Sequence, residues 1–144
     1  MININNSAPV KCNKSITIYA NPKRVWEILT DINEWSKWNK KIPNAKLKGD
    51  LLPNATFVWE TGGATIHSKL HTVSHLKEFG WTGKTFGMYA IHNWTFEEVY
   101  GNTQLGVCES MEGLLAFLFK KSFQKNLERD MQLWLVYLKN ECEK

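Results

Sequence analysis

Several things are scarce in this chain. Its 144 residues include only three cysteines, Cys12, Cys108 and Cys142, odd in number and widely spaced. They make no CxxC pair, which excludes a disulfide framework and the common zinc and redox motifs. There are four prolines, and no stretch is rich in Pro, Gly or Ser, so no linker divides the chain. No run approaches the ~18 apolar residues that a membrane-spanning helix needs. Lys and Arg outnumber Asp and Glu by 18 to 14, but the basic residues cluster only as pairs such as Lys40-Lys41 and Lys120-Lys121. That leaves a weak footprint for nucleic acid. The first ten residues are polar and Asn-rich, without the apolar core of a signal peptide. These absences predict a soluble, reduced, cytoplasmic protein of one domain, residues 1–144, with 1–9 as a loose lead-in and no membrane span.

Aromatic residues, by contrast, are plentiful: seven Trp, seven Phe and four Tyr. Such side chains fill cores, and they also line pockets for apolar ligands.

Along the chain, Val10 to Ala20 alternates as a strand does, with Ile16, Ile18 and Ala20 in one phase. Asn21-Pro22 then opens a helix, since Asn can cap and Pro suits the first helical position. Val25, Ile28, Leu29 and Ile32 follow at helical spacing, and a second short helix is expected around Glu34 to Asn39, carrying Trp35 and Trp38. From Ile42 onward the pattern becomes short strands: 45–49, 56–61, 64–73, 77–83, 88–99 and 103–112. Gly62-Gly63 forms a two-residue hairpin turn, and Gly83, Gly87 and Gly101 mark further connections. The last stretch places Leu115, Phe119, Phe123, Leu127, Met131, Trp134, Leu135 and Leu138 at steps of three and four. That predicts one long amphipathic helix from Leu114 to Lys139, roughly 38 Å in length. About seven adjacent antiparallel strands with the helices kept apart define an α+β domain. In each strand one phase is the more apolar, so one face of the sheet is covered and the other solvated.

A strand, an Asn-Pro-led helix with Val25 and Trp26, and Asp31 followed by Trp35 and Trp38 together resemble a known family. So do Ile91-His92-Asn93-Trp94-Thr95-Phe96, the segment Thr103 to Glu109, and Leu138-Lys139 with Glu141. The chain resembles the START-like (SRPBCC) superfamily, and within it the bacterial polyketide cyclase/dehydrase-like branch, over nearly its whole length beyond residue 10. The resemblance implies a helix-grip: a seven-stranded curved antiparallel sheet wrapped around a long C-terminal helix, with two short helices between strands 1 and 2 and an internal cavity. Members bind lipids, sterols, polyketides or hormones, and some are enzymes, so the fold alone does not assign a role.

If the covered face lines such a cavity, its lining is Phe57, Trp59, Ile66, Ser68, Leu70, Phe79, Trp81, His92, Trp94, Phe96, Leu105, Val107 and Glu109. Phe119, Phe123, Leu127 and Met131 would face them from the helix. The polar members carry the chemistry. If Val99 pairs with Asn102 across a Tyr100-Gly101 turn, His92 lies opposite Glu109, with Cβ atoms ~5 Å apart. A buried carboxylate needs a partner and histidine is a natural one. The pair could orient a ligand carbonyl or hydroxyl, act as general acid and base, or form a satisfied structural contact.

Other candidates offer less. His67 and His71 fall on the solvated phase with Lys69 between them and no third metal ligand. Ser68 lacks the context of a nucleophile. Glu60, Glu112, Asp130 and His75 read as surface. Leu114 to Phe119 is apolar all round, which fits either full burial or a covering role. In START-like folds the cavity entrance lies near this end of the helix. Leu114, Phe117 and Leu118 are therefore expected at an apolar mouth or a homodimer contact, with burial beneath residues 83–87 as the structural alternative. The expected function is binding or carriage of a small hydrophobic molecule, lipid or polyketide-like. The alternative is a cyclase/dehydratase-like enzyme using His92 and Glu109, with no metal, nucleotide or other cofactor.

Overall fold

A computed structural model describes all 144 residues. Strand β1 spans Val10–Ile18 and is followed by helix α1, Pro22–Thr30. The Asn21 side chain caps α1 by accepting from the Arg24 N–H at 3.0 Å. A 3-10 turn at Ile32–Glu34 leads into the four-residue helix α2, Trp35–Trp38. Six strands follow as a meander: β2 Asn44–Lys48, β3 Thr56–Thr61, β4 Ala64–Ser74, β5 Glu78–Thr85, β6 Met88–Val99 and β7 Asn102–Gly113. The sheet runs β1-β7-β6-β5-β4-β3-β2, antiparallel throughout, with helix α4, Lys120–Cys142, on its inner face. This is the expected seven-stranded helix-grip.

Three two-residue turns set the registers. Gly62-Gly63, Phe86-Gly87 and Tyr100-Gly101 each place both residues at positive φ, the type I′ geometry that matches strand twist. Gly83, expected at a connection, instead lies within β5 opposite Ser68 and Ala90. A bulge between Leu70 and Thr72 adds a residue to β4, and His71 sits in it.

The C-terminal stretch is not one helix. It breaks at Phe119 (φ −115°, ψ 33°), separating α3, Leu114–Leu118, from the 23 residues of α4. The break rotates the apolar stripe out of register. Leu127, Met131, Trp134, Leu135 and Leu138 stay on the sheet, while Phe119 is 57% exposed.

Side chains occupy part of each edge of the sheet. At β1, Gln124 of α4 accepts from the Lys11 N–H at 3.0 Å and donates to its carbonyl at 2.5 Å. Lys139 Nζ donates to the Thr17 carbonyl at 2.7 Å. At β2, the Leu47 N–H donates to Asn33 Oδ1 at 2.8 Å.

Between sheet and α4 the core is aromatic. Trp35 is fully buried and its ring lies 5.3–5.9 Å from those of Phe57, Trp59, Trp81 and Trp134. Its Nε1–H donates to the Leu29 carbonyl at 2.8 Å, so α1, α2, strands β3 and β5, and α4 meet on one side chain.

Residues 1–9 lie on the outer face of the sheet rather than hanging loose. Asn93 Nδ2 donates to the Ile2 carbonyl at 2.7 Å, and the Asn5 N–H donates to Ser110 Oγ at 3.0 Å. His71 Nδ1 accepts from Thr72 Oγ1 at 2.7 Å and from the Ile2 N–H at 3.4 Å. The solvated face is thus partly roofed, which accounts for the burial of Ile91, Asn93 and Ser110. Gly80 has no Cβ because one would stand 2.5 Å from His71 Cε1 and 2.6 Å from Asn93 Oδ1.

Two outcomes are expected. Trp35→Ala should cost about 3–5 kcal/mol in denaturant unfolding, and Trp35→Phe less, because only the larger deletion empties the aromatic junction. Burial, with help from the N-terminal amine, lowers the pKa of His71 below its usual 6.5. The unfolded chain therefore binds the proton more readily. The stability that neutral His71 supplies is present above pH 6.5 and is lost as pH falls from there through the folded value. The protection of the Ile2 amide, taken as its exchange rate relative to the intrinsic rate at each pH, should fall in that window and stay flat in His71→Gln.

Candidate functional site

The register of β6 and β7 builds the centre of the site. The two-residue turn at Tyr100-Gly101 pairs Val99 with Asn102, and every later pair follows, placing His92 opposite Glu109 on the inner face. The His92 Nδ1–H donates to Glu109 Oε2 at 2.6 Å. The histidine side chain is 3% exposed and the glutamate 12%. The imidazole also stacks flat on Trp81, centroids 4.2 Å apart and planes 7° from parallel. Ring plane and tautomer are therefore both fixed, and the second nitrogen, Nε2, is held in a defined direction.

That nitrogen is buried without a partner, as are the Nε1 atoms of Trp94 and Trp134. The three rings lie within 5.3–5.7 Å of one another. Buried polar groups are ordinarily paired, so this cluster can receive the carbonyl or hydroxyl of a ligand, or an ordered water.

The remaining expected residues divide into a sealed end and a half-open end. Phe57, Trp59, Leu70, Phe79, Trp81, Trp94, Phe96, Leu105 and Val107 are buried and belong to one continuous core. Phe96 packs on Trp26 of α1 at 5.3 Å. Ser68 accepts from the Trp59 Nε1–H at 3.0 Å, which is a structural task. Nearer α3, the inner-face side chains are only half-buried: Ile66, Met88, Ala90, Met111 and, from α4, Phe123. Leu127 and Met131 mark the boundary and are buried. Phe119 does not join them, because the helix breaks there. Leu114, Phe117 and Leu118 are exposed at the same end, not covered by residues 83–87.

The sequence reading left Trp134, Met88, Ala90 and Met111 out of the lining. Strand phase carried the signal for the last three, since Met88 and Ala90 share the phase of His92 and Met111 that of Glu109. Trp134 stands on the helical stripe, but nothing in its spacing reveals that it meets His92.

The outer face offers less chemistry. His67 is exposed, His71 is engaged with the N-terminal segment, and no group of three or more metal-ligating side chains gathers anywhere in the fold. All three thiols are free, and burial raises the pKa of each, that of Cys142 to about 12. Such thiols are poor nucleophiles. No helix is long and apolar enough to cross a membrane.

Similar proteins place this geometry in context. Comparison with solved structures matches a hypothetical protein of Helicobacter pylori at 20% identity and a TM-score of 0.85, covering 99% of this chain and 97% of that one. A START superfamily protein from Mycobacterium smegmatis matches at 11% identity and 0.80, covering 92% and 97%. The Zhui aromatase/cyclase of a Streptomyces species matches at 12% identity and 0.81, covering 92% and 93%. At these identities the likeness is one of fold. No curated protein matches by sequence. Residues 9–143 match the family described as polyketide cyclase / dehydrase and lipid transport. The chain therefore belongs to that family, within the START-like (SRPBCC) superfamily.

Proposed function

We propose that this protein binds or carries a small hydrophobic molecule, lipid or polyketide-like, between the sheet and the C-terminal helix. The observation that carries the reading is the change in burial along the inner face. Aromatic rings fill the interior around Trp35, whereas Ile66, Met88, Ala90, Met111 and Phe123 are apolar, inward and only half-buried. Apolar surface left part-open inside a grip fold favours an apolar occupant. At the deep end of that surface, His92 with Glu109 would fix a polar group of the ligand. Leu114, Phe117 and Leu118 would stand at the mouth. Both activities in the family's description handle apolar molecules of this kind. Native mass spectrometry of the purified chain should detect a retained apolar molecule, or uptake of an added fluorescent fatty acid. Ala90→Phe should fill the space and weaken uptake by about tenfold or more while the fold persists. A chain that takes up neither, or an Ala90→Phe variant that binds unchanged, would contradict the reading.

One observation favours a second reading, a cyclase/dehydratase-like enzyme. His92 has its Nδ1 tied to a carboxylate and its Nε2 unpartnered, which is how a general base is held. In this reading Nε2 removes a proton α to a substrate carbonyl or returns one to a departing hydroxyl, and Glu109 stabilises the imidazolium formed. Turnover of a poly-β-ketone substrate should then fall by about 100-fold or more in His92→Gln with binding retained. If neither turnover nor binding changes, the pair has no place in the site.

A further inference from the structure

The end of the molecule formed by α3 and the β5–β6 turn presents five large apolar side chains to solvent. Phe86 is 85% exposed, Leu114 69%, Phe117 64%, Leu118 59% and Phe119 57%. They come from two segments locked together: Met88 pairs with Gly113, and a Cβ on Gly113 would stand 2.2 Å from the Gly87 carbonyl oxygen. Gly113 itself takes φ +117°, and the chain turns there out of β7 into α3. The apolar tip is therefore a built surface on a fixed base. Phe86 also holds a positive φ of 36° in its turn, a conformation far cheaper for Gly or Asn, and no core contact compensates for it.

Charge identifies the occupant. Lys84, Lys120, Lys121 and Lys125 are all exposed around the tip. Glu112 and Glu128, on the neighbouring β7 and α4, keep their charge while bonded to the neutral amides of Asn5 and Gln124, so four lysines outweigh two carboxylates here. At the opposite end of β6, Tyr100 is as exposed and as strained, but it follows Glu97 and Glu98 and has no basic collar. A second copy of this chain would bring two lysine collars face to face. A bilayer with acidic headgroups satisfies both features at once. Apolar rings can enter the interface while lysine stems lie along it and their ammonium groups meet phosphate.

We propose that this tip docks the protein on the surface of an anionic lipid bilayer, with Phe86, Leu114, Phe117, Leu118 and Phe119 inserted and the lysines paired to acidic headgroups. The tip shares Leu114, Phe117 and Leu118 with the mouth of the ligand reading, but vesicle binding is read separately from ligand uptake, so either can fail without the other.

The test is co-sedimentation of the full chain with two vesicle types, pure phosphatidylcholine and phosphatidylcholine containing roughly 30% phosphatidylglycerol. The protein should pellet with the anionic vesicles, far less with the zwitterionic ones, and less as salt rises. Replacing Lys120 and Lys121 together by Ala should weaken binding on the order of 20-fold, at roughly fivefold per charge. Phe117→Ser and, separately, Phe86→Ser should each weaken it by about tenfold. These side chains lie on different segments and touch no core, so circular dichroism should be unchanged; if one variant misfolds, the other still reads the surface. Failure to pellet with anionic vesicles overturns the proposal, as does equal pelleting with both kinds or indifference to both Phe variants. A dimer in size-exclusion chromatography that Phe117→Ser dissolves, without vesicle binding, assigns the tip to self-association and also overturns it.

Discussion

The fold depends on a single aromatic junction. Trp35 belongs to a helix of only four residues, too short to hold itself. What holds it is its ring, which meets Phe57 and Trp59 of β3, Trp81 of β5 and Trp134 of α4, together with a hydrogen bond back to α1. Around it the inner sheet face and the long helix come into contact through mostly edge-on rings, the arrangement that aromatic quadrupoles favour. That fixes the separation of sheet and helix at one end and leaves the other end to be set by smaller side chains. Nearer α3 the inner side chains are Met88, Ala90 and Met111, which are only half-buried.

The same junction disciplines the polar groups. His92 is clamped between Trp81 on one face and Glu109 at one edge, with Trp94 and Trp134 beside it. In so apolar a setting a hydrogen bond is strong and an unpaired nitrogen is costly. Three ring nitrogens in this cluster, on His92, Trp94 and Trp134, have no partner. This is the feature shared by the binding reading and the catalytic one.

Strand phases, turns and the His92–Glu109 pairing were legible in the sequence because period-two alternation and a two-residue glycine turn determine register without reference to anything distant. The Asn21-Pro22 helix start was legible for the same local reason. The break at Phe119 was not: residues 114–119 are apolar on every side, so periodicity cannot tell a continuous helix from two. The bulge at His71 and the roof formed by residues 1–9 were also hidden. Both depend on polar contacts between residues far apart in the chain, such as Asn93 with Ile2. Among the expected lining residues, Phe119 failed through the helix break, and Trp134 was missed because which rings meet is decided by three-dimensional packing.

Gln124, Lys139 and Asn33 occupy the outer hydrogen-bonding positions of β1 and β2. A seven-stranded open sheet otherwise has two edges that invite pairing with another chain, and an exposed knot of phenylalanines would raise the local concentration of such encounters. With side chains already bound along part of each edge, two molecules meeting at their apolar ends find fewer free backbone groups to pair. What hinders cross-β pairing of an exposed apolar tip thus lies on the flanks of the sheet, in α4 and Asn33, and not in the tip itself.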